Sequence, residues 1–223
     1  MRLALVAALL STAAVARGED RDVPAFSAVH ISSGMKASID VGRQRSVHIE
    51  ADADVLPLVE TVVEDGTLQV RFKRHGGWFH VEHAVRLTIT TPELNGVGAS
   101  GGSIVKAVFT RGDRADVEAS GGSEITARSI DAAEVDVQAS GGSVLTLDGS
   151  ADKISLQLSG GSQLHGGDFS TRDASVHGSG GSEANLKASG KLRGSLSGGS
   201  QLHVSGGAST SVSTSGGSEV YTD

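Results

Sequence analysis

The sequence predicts an all-β chain: a parallel β-helix solenoid with rungs of 18–20 residues and an irregular N-terminal cap. Three observations predict it. Ser-Gly-Gly-Ser occurs seven times, beginning at Ser100, Ser120, Ser140, Ser159, Ser179, Ser197 and Ser215, at intervals of 20, 20, 19, 20, 18 and 18 residues. Apolar residues keep the same places relative to every copy. The chain of 223 residues carries 31 Gly, no Cys and only 3% aromatic residues, which suits a narrow core filled by small side chains. A fixed period of this size marks a stacked repeat. It is too short for a strand, a covering helix and two loops, but it matches one turn of a β-helix.

The N-terminus reads as a leader. Met1-Arg2 is basic, Leu3 to Ala14 is apolar but too short to span a bilayer, and Ala14-Val15-Ala16 is a small-x-small cleavage pattern. Residues 1–16 are therefore expected to be a signal peptide, 17–23 a linker, and 24–223 a single β-helix domain. The protein is expected to be exported, periplasmic or extracellular, without membrane insertion. Within 24–95, period-two alternation appears in Met35/Ala37/Ile39/Val41, Val47/Ile49/Ala51, Leu68/Val70/Phe72 and Val85/Leu87/Ile89, the pattern of half-buried strands. Asp54 to Val63 has apolar residues three and four apart and reads as helical. Glu64-Asp65-Gly66-Thr67 reads as a turn. These residues form the irregular first turns that cap the stack.

Residues 96–223 form the regular rungs. Five, three and one positions before each first Ser, the residues are mostly small or apolar, as in Ala115/Val117/Ala119, Val135/Val137/Ala139 and Ile154/Leu156/Leu158, with Asn95, Thr210 and Thr214 at the two ends of the series. The positions between are polar or Gly: Asp116/Glu118, Asp136/Gln138, Ser155/Gln157 and Ser175/His177. Five residues after the same Ser stand Val105, Ile125, Leu145, Leu164, Ala184, Leu202 and Val220. Each rung thus reads as strand, Ser-Gly-Gly corner and strand, the paired glycines supplying positive φ where the backbone bends. No Pro follows Pro92, as a ladder that uses every N–H requires.

Several segments resemble one family. They are Phe26-Ser27-Ala28-Val29-His30-Ile31, Ala51-Asp52-Ala53-Asp54-Val55-Leu56 and Glu64-Asp65-Gly66-Thr67-Leu68-Gln69-Val70. Val85 to Leu94 and the following Ala99-Ser100-Gly101-Gly102-Ser103 belong with them. In order and spacing these are similar to the bacterial head-GIN domain family, the heads of auto-transporter adhesins. The resemblance implies an exported, right-handed parallel β-helix and carries over no catalytic residue.

Function classes narrow accordingly. A formal charge of −7 and few rings argue against nucleic acid as a partner. The absence of Cys excludes thiol chemistry and thiolate metal sites. No cofactor or metal is expected, and the chain is read as non-enzymatic, acting by contact along its flat outward faces on an envelope component or glycan. The most promising contact strip is the column Gln163, Glu183, Gln201 with its neighbours His165, Asn185, His203. Asp116 and Asp136 share an outward column beside Glu118; two carboxylates one rung apart could serve a carbohydrate-active enzyme, the leading alternative. His165 and His203 lie two rungs apart, too far for one ion. Trp78 sits in the cluster His75, His80, Glu82, His83 and is a further candidate contact. Gly98-Ala99-Ser100-Gly101-Gly102 matches G-x-S-x-G, but it is one of seven equivalent corners. A second alternative is a self-assembling protein, a homo-oligomer formed through the C-terminal rung.

Overall fold

The computed structural model describes residues 16–73 and 84–223. Its regular part is two parallel ladders joined at the Ser-Gly-Gly-Ser corners. The first ladder stacks β8 (Gly96–Ala99), β10 (Gly112–Ala119), the second halves of β11 (Glu124–Ala139), β12 (Val144–Leu158) and β13 (Gln163–Gly178), then β15 (Lys191–Leu196) and β17 (Ser209–Thr214). In it Val97, Val117, Val137, Leu156, Val176, Gly194 and Val212 lie one above another. The second ladder stacks β9 (Ile104–Val108), the first halves of β11, β12 and β13, then β14 (Glu183–Ala188), β16 (Gln201–Ser205) and β18 (Glu219–Thr222). Its inner column is Val105, Ile125, Leu145, Leu164, Ala184, Leu202 and Val220, the series expected from sequence.

The core is the space between these columns, and all but Val220 of that second series are buried. Burying each Val, Leu or Ile side chain there contributes about 1.5–3 kcal/mol. Interior volume is shared between rungs: Gly149 stands in register between Ile130 and Phe169, the bulkiest fully buried side chain. Gly178 leaves the same kind of room, since a Cβ on it would sit 2.7 Å from Leu196 Cδ2. In this way a core with so few rings is filled by complementary large and small residues on successive rungs.

The corners repeat closely. Gly141 and Gly142 have φ of 63° and 74°, in the left-handed region, and the other pairs differ by only a few degrees. The last Ser of the motif turns inward, and Ser103, Ser123, Ser143 and Ser200 donate their hydroxyls to the carbonyl of the Ser that opens the same corner, at 2.6–2.8 Å. Those buried hydroxyls are thereby satisfied within the turn. A hydroxyl pair between rungs joins Ser182 to Ser200 at 3.2 Å.

The N-terminal third is ordered differently in space than in sequence. β2 (Ala28–Ile31) and β3 (Lys36–Val41) form a rung that lies directly on β8 and β9, with Ala28 beside Gly96 and Ala37 beside Val105. Its corner, Ser32-Ser33-Gly34-Met35, has φ of 67° and 75° at Ser33 and Gly34, the same bend as in the glycine pairs. β6 (Thr67–Phe72) and β7 (Arg86–Thr91) cover its other side, pairing parallel with β2 and β3. β4 (Val47–Asp52) then runs antiparallel to β7, and β5 (Val59–Glu64) antiparallel to β6 through a turn with φ of 49° at Asp65 and 74° at Gly66. Two positive φ values suit a type I′ hairpin.

Two expectations are corrected. The helical stretch over Asp54 to Val63 is a 3₁₀ turn at Leu56–Leu58 followed by strand β5. The β-branched run Val59, Thr61, Val62, Val63 favours an extended backbone, and pairing with β6 decides it. The linker expected at 17–23 contains β1 (Ala16–Arg21), antiparallel to β4. Arg21 fastens it, donating to the carbonyls of Val59 at 2.6 Å and Leu56 at 2.8 Å. At the other end, β17 and β18 each pair with one neighbour, β15 and β16.

Candidate functional site

Because strands alternate, every residue between two core positions points outward, and parallel in-register stacking turns each such position into a ladder. On the second sheet one ladder is Gln163, Glu183, Gln201 and Glu219; the next is His165, Asn185, His203 and Tyr221. The strip foreseen from sequence is thus continuous, with His165 and His203 separated by Asn185. Its C-terminal end is the most structured part. The His203 and Tyr221 rings stack with centroids 4.6 Å apart and planes 11° from parallel. The Tyr221 hydroxyl donates to the Glu219 carboxylate, and this hydrogen bond to the protonated phenol, ahead of desolvation and the Glu219 charge, holds the phenol above its usual pKa range.

On the first sheet, Asp116 and Asp136 are in register one rung apart, as expected. Arg114 joins them, its Nε 3.1 Å from Asp116 and its Nη2 2.5 Å from Asp136. The guanidinium is held in its charged form chiefly by the hydrogen bond to Asp116, then by the charges of Asp116 and Asp136. A cation between the carboxylates neutralises both, while the Asp116 side chain stays about half exposed to solvent. Glu118 stands in the adjacent ladder, in register with Gly98 and Gln138. Sequence reasoning missed Arg114, although a cation two residues before Asp116 on one strand face is a readable signal.

The first rung adds a contact no pattern announced. His30 lies over Gly98, where a Cβ would come within 2.3 Å of its Nδ1, and its Nε2 is 3.2 Å from Ser100 Oγ. Among the described residues no side chain is bonded to the other ring nitrogen, so the pair lacks the orienting third member of a catalytic triad. It ties the irregular rung to the first regular corner. Trp78 and its neighbours His75, His80, Glu82 and His83 lie outside the described residues.

Beside the corners a shallow groove of about 370 Å³ follows the stack, bordered by the Gln138, Gln157, His177 ladder on one side and Ser140, Ser159 and Ser179 on the other. Among the described residues, no cluster of three His, Asp or Glu side chains is arranged to hold a metal ion, and no helix is long and apolar enough to cross a membrane.

A β-solenoid with exposed side-chain ladders on its faces belongs to the broad class of stacked-strand modules. Residues 25–208 match the family model described as "Putative auto-transporter adhesin, head GIN domain", and the chain belongs to that family. Solved structures agree on the fold. A putative adhesin from Bacteroides fragilis matches at a TM-score of 0.85 with 17% identity, over 95% of this chain and 98% of that one. A putative lipid binding protein from Parabacteroides distasonis matches at 0.69 with 13% identity, over 93% and 96%. A putative adhesin from Parabacteroides merdae matches at 0.68 with 16% identity, over 94% and 95%. No curated protein matches the chain significantly.

Proposed function

We propose that the protein is an exported, non-enzymatic, adhesin-like module that holds an envelope component or glycan against its strand faces. The observation that carries this reading is the unbroken outward ladder Gln163, Glu183, Gln201, Glu219 with His165, Asn185, His203, Tyr221 beside it. Rigid, regularly spaced amide, carboxylate and ring groups form a surface suited to contact without the enclosed pocket of a cofactor enzyme. Membership of an adhesin-head family supports the same reading. Export is supported by the apolar run from Leu3 to Ala14 and the small residues that close it.

The test is binding of the full chain to envelope fractions and immobilised glycans, with a His203→Ala/Tyr221→Ala double variant as comparison. Removing the stacked pair should weaken binding about tenfold, the scale of one aromatic contact and one hydrogen bond. Absence of any binding by the unaltered protein, or equal binding by the variant, overturns the proposal.

A further inference from the structure

We infer that the groove beside the Ser-Gly-Gly-Ser corners is a binding site for an uncharged linear β-linked glycan that lies along the rod with one sugar ring per rung. The site is separate from the strip on the second sheet, so the inference goes beyond the preceding reading and can fail without it.

The wall on the strand side is a ladder fixed by register: Glu118, Gln138, Gln157, His177 and Ser195 on successive rungs. The opposite wall is the first serine of successive corners, Ser140, Ser159 and Ser179, half-exposed in each case. Between the walls the floor residues Ala139, Leu158 and Gly178 turn inward, so nothing rises from the bottom. Among the described residues, the side chains of Gln138, Gln157 and His177 and the hydroxyls of Ser140, Ser159 and Ser179 are not engaged by any other side chain or by backbone. Each of the middle rungs therefore offers an amide or imidazole opposite a hydroxyl, groups that both donate and accept. Sugar hydroxyls need that combination.

The spacing selects the occupant. Rungs repeat at about 4.8 Å, close to the advance per ring of an extended β-linked pyranose chain, in which alternate rings turn over so that like edges recur at every second rung. A peptide strand presents same-side residues every two positions, about 6.6–6.8 Å, and loses register with the wall after the second rung. Charge selects further. No Lys or Arg borders the groove, and Glu118 stands at one end, so phosphate-rich and nucleic-acid chains find no counter-charge. Without an aromatic platform each ring contributes little, and affinity must accumulate along the ladder.

Isothermal titration of the full chain with β-1,4-linked glucose and N-acetylglucosamine oligomers, disaccharide through hexasaccharide, tests this. Affinity should rise with each added ring and level once the five rungs from Glu118 to Ser195 are spanned. A Gln138→Ala/Gln157→Ala variant should bind the longest oligomer about tenfold more weakly, the loss of roughly one net hydrogen bond at each site. Asp148→Asn/Asp168→Asn, exposed and outside both the groove and the strip, should bind it as the unaltered protein does. Both pairs are exposed, and circular dichroism confirms that the fold is kept. No binding of either series, affinity independent of length, or full affinity in the groove variant overturns the inference. Envelope binding that survives the groove variant but falls with His203→Ala/Tyr221→Ala would then leave the earlier reading standing alone.

Discussion

Three glycines in one rung should differ sharply in what replacement costs, and the order tests the account of the corners. Gly142 has φ of 74° and nothing within 4 Å of where a Cβ would stand. Its replacement by Ala meets only the left-handed penalty, about 1–2 kcal/mol, reduced by the 0.4–1 kcal/mol that Ala gains in the unfolded chain. Gly141 has nearly the same φ, but its Cβ would lie 3.2 Å from the Gly121 nitrogen and 3.5 Å from its Cα, in the rung above. That contact is with backbone held by two ladders, so Gly141→Ala should cost about 1 kcal/mol more than Gly142→Ala. Gly149 has φ of 129°, and a Cβ would fall 2.0 Å from the Ile130 carbonyl oxygen and 2.7 Å from its nitrogen. Neither atom can yield without breaking the ladder, and Gly149→Ala should cost at least 4 kcal/mol, roughly the upper end of single substitutions. For a chain of this size each kcal/mol lowers Tm by about 2–4 °C. Thermal and urea unfolding of the three variants would therefore show small, intermediate and large shifts in that order. Equal losses at 141 and 142, or a mild loss at 149, would refute the view that stacking distance, beyond φ, sets the glycine requirement.

Two further outcomes follow from titrating groups at the two ends of the stack. His48 on β4 donates from Nδ1 to the Asp20 carboxylate of β1 at 2.7 Å, and this hydrogen bond, aided by the charges of Asp20 and Glu50, raises its pKa. A raised folded-state value means the attachment is complete below the unfolded pKa of about 6.5 and is lost as pH rises through the higher folded value. Hydrogen exchange at Arg17 to Arg21, corrected for intrinsic rates, should lose protection over that interval and become flat in His48→Gln. At the other end, Tyr221 is the single tyrosine, so its ionisation can be followed directly by ultraviolet absorbance. The midpoint should lie above the ordinary value and fall back in Glu219→Gln; a midpoint unmoved by that change would remove the Glu219 contact from the description.

The regular rungs could be read because each glycine pair anchors a count: eighteen to twenty residues on, the same chemistry returns, and the count places Gln163 beside Glu183 and Asp116 beside Asp136. The first corner escaped that reading because Ser33 takes the place of a glycine and Met35 that of the inward serine, while the backbone bends identically. Val55, Leu58, Val59 and Val62 imitate a helical stripe, and only β6 alongside shows that Val59 to Val63 is extended. At the candidate surfaces, ladder membership was visible in sequence, but the groove was not. A groove depends on which wall is a strand and which is a corner, and on floors that turn inward. His30 acts across rungs on Ser100, at a spacing that no local pattern connects, whereas Arg114 stands two residues from Asp116, and only its reach to Asp136 crosses a rung.

The placement of β2 and β3 between β6–β7 and β8–β9 has a bearing on how the rod assembles. From Gly96 onward each new rung finds its template in the rung just made, so growth can proceed by simple addition, like a zipper closing. The first rung has no such template. Ala28 must wait for Thr67 on one side and Gly96 on the other, so the opening third of the chain closes its large loops together or not at all. Loop closure of that kind is the slow step in strand-rich folds. The nucleus is thus built by the part of the chain without repeats, and the repeats only extend it. Added or deleted regular rungs should change the length of the rod while leaving its rate of birth nearly constant.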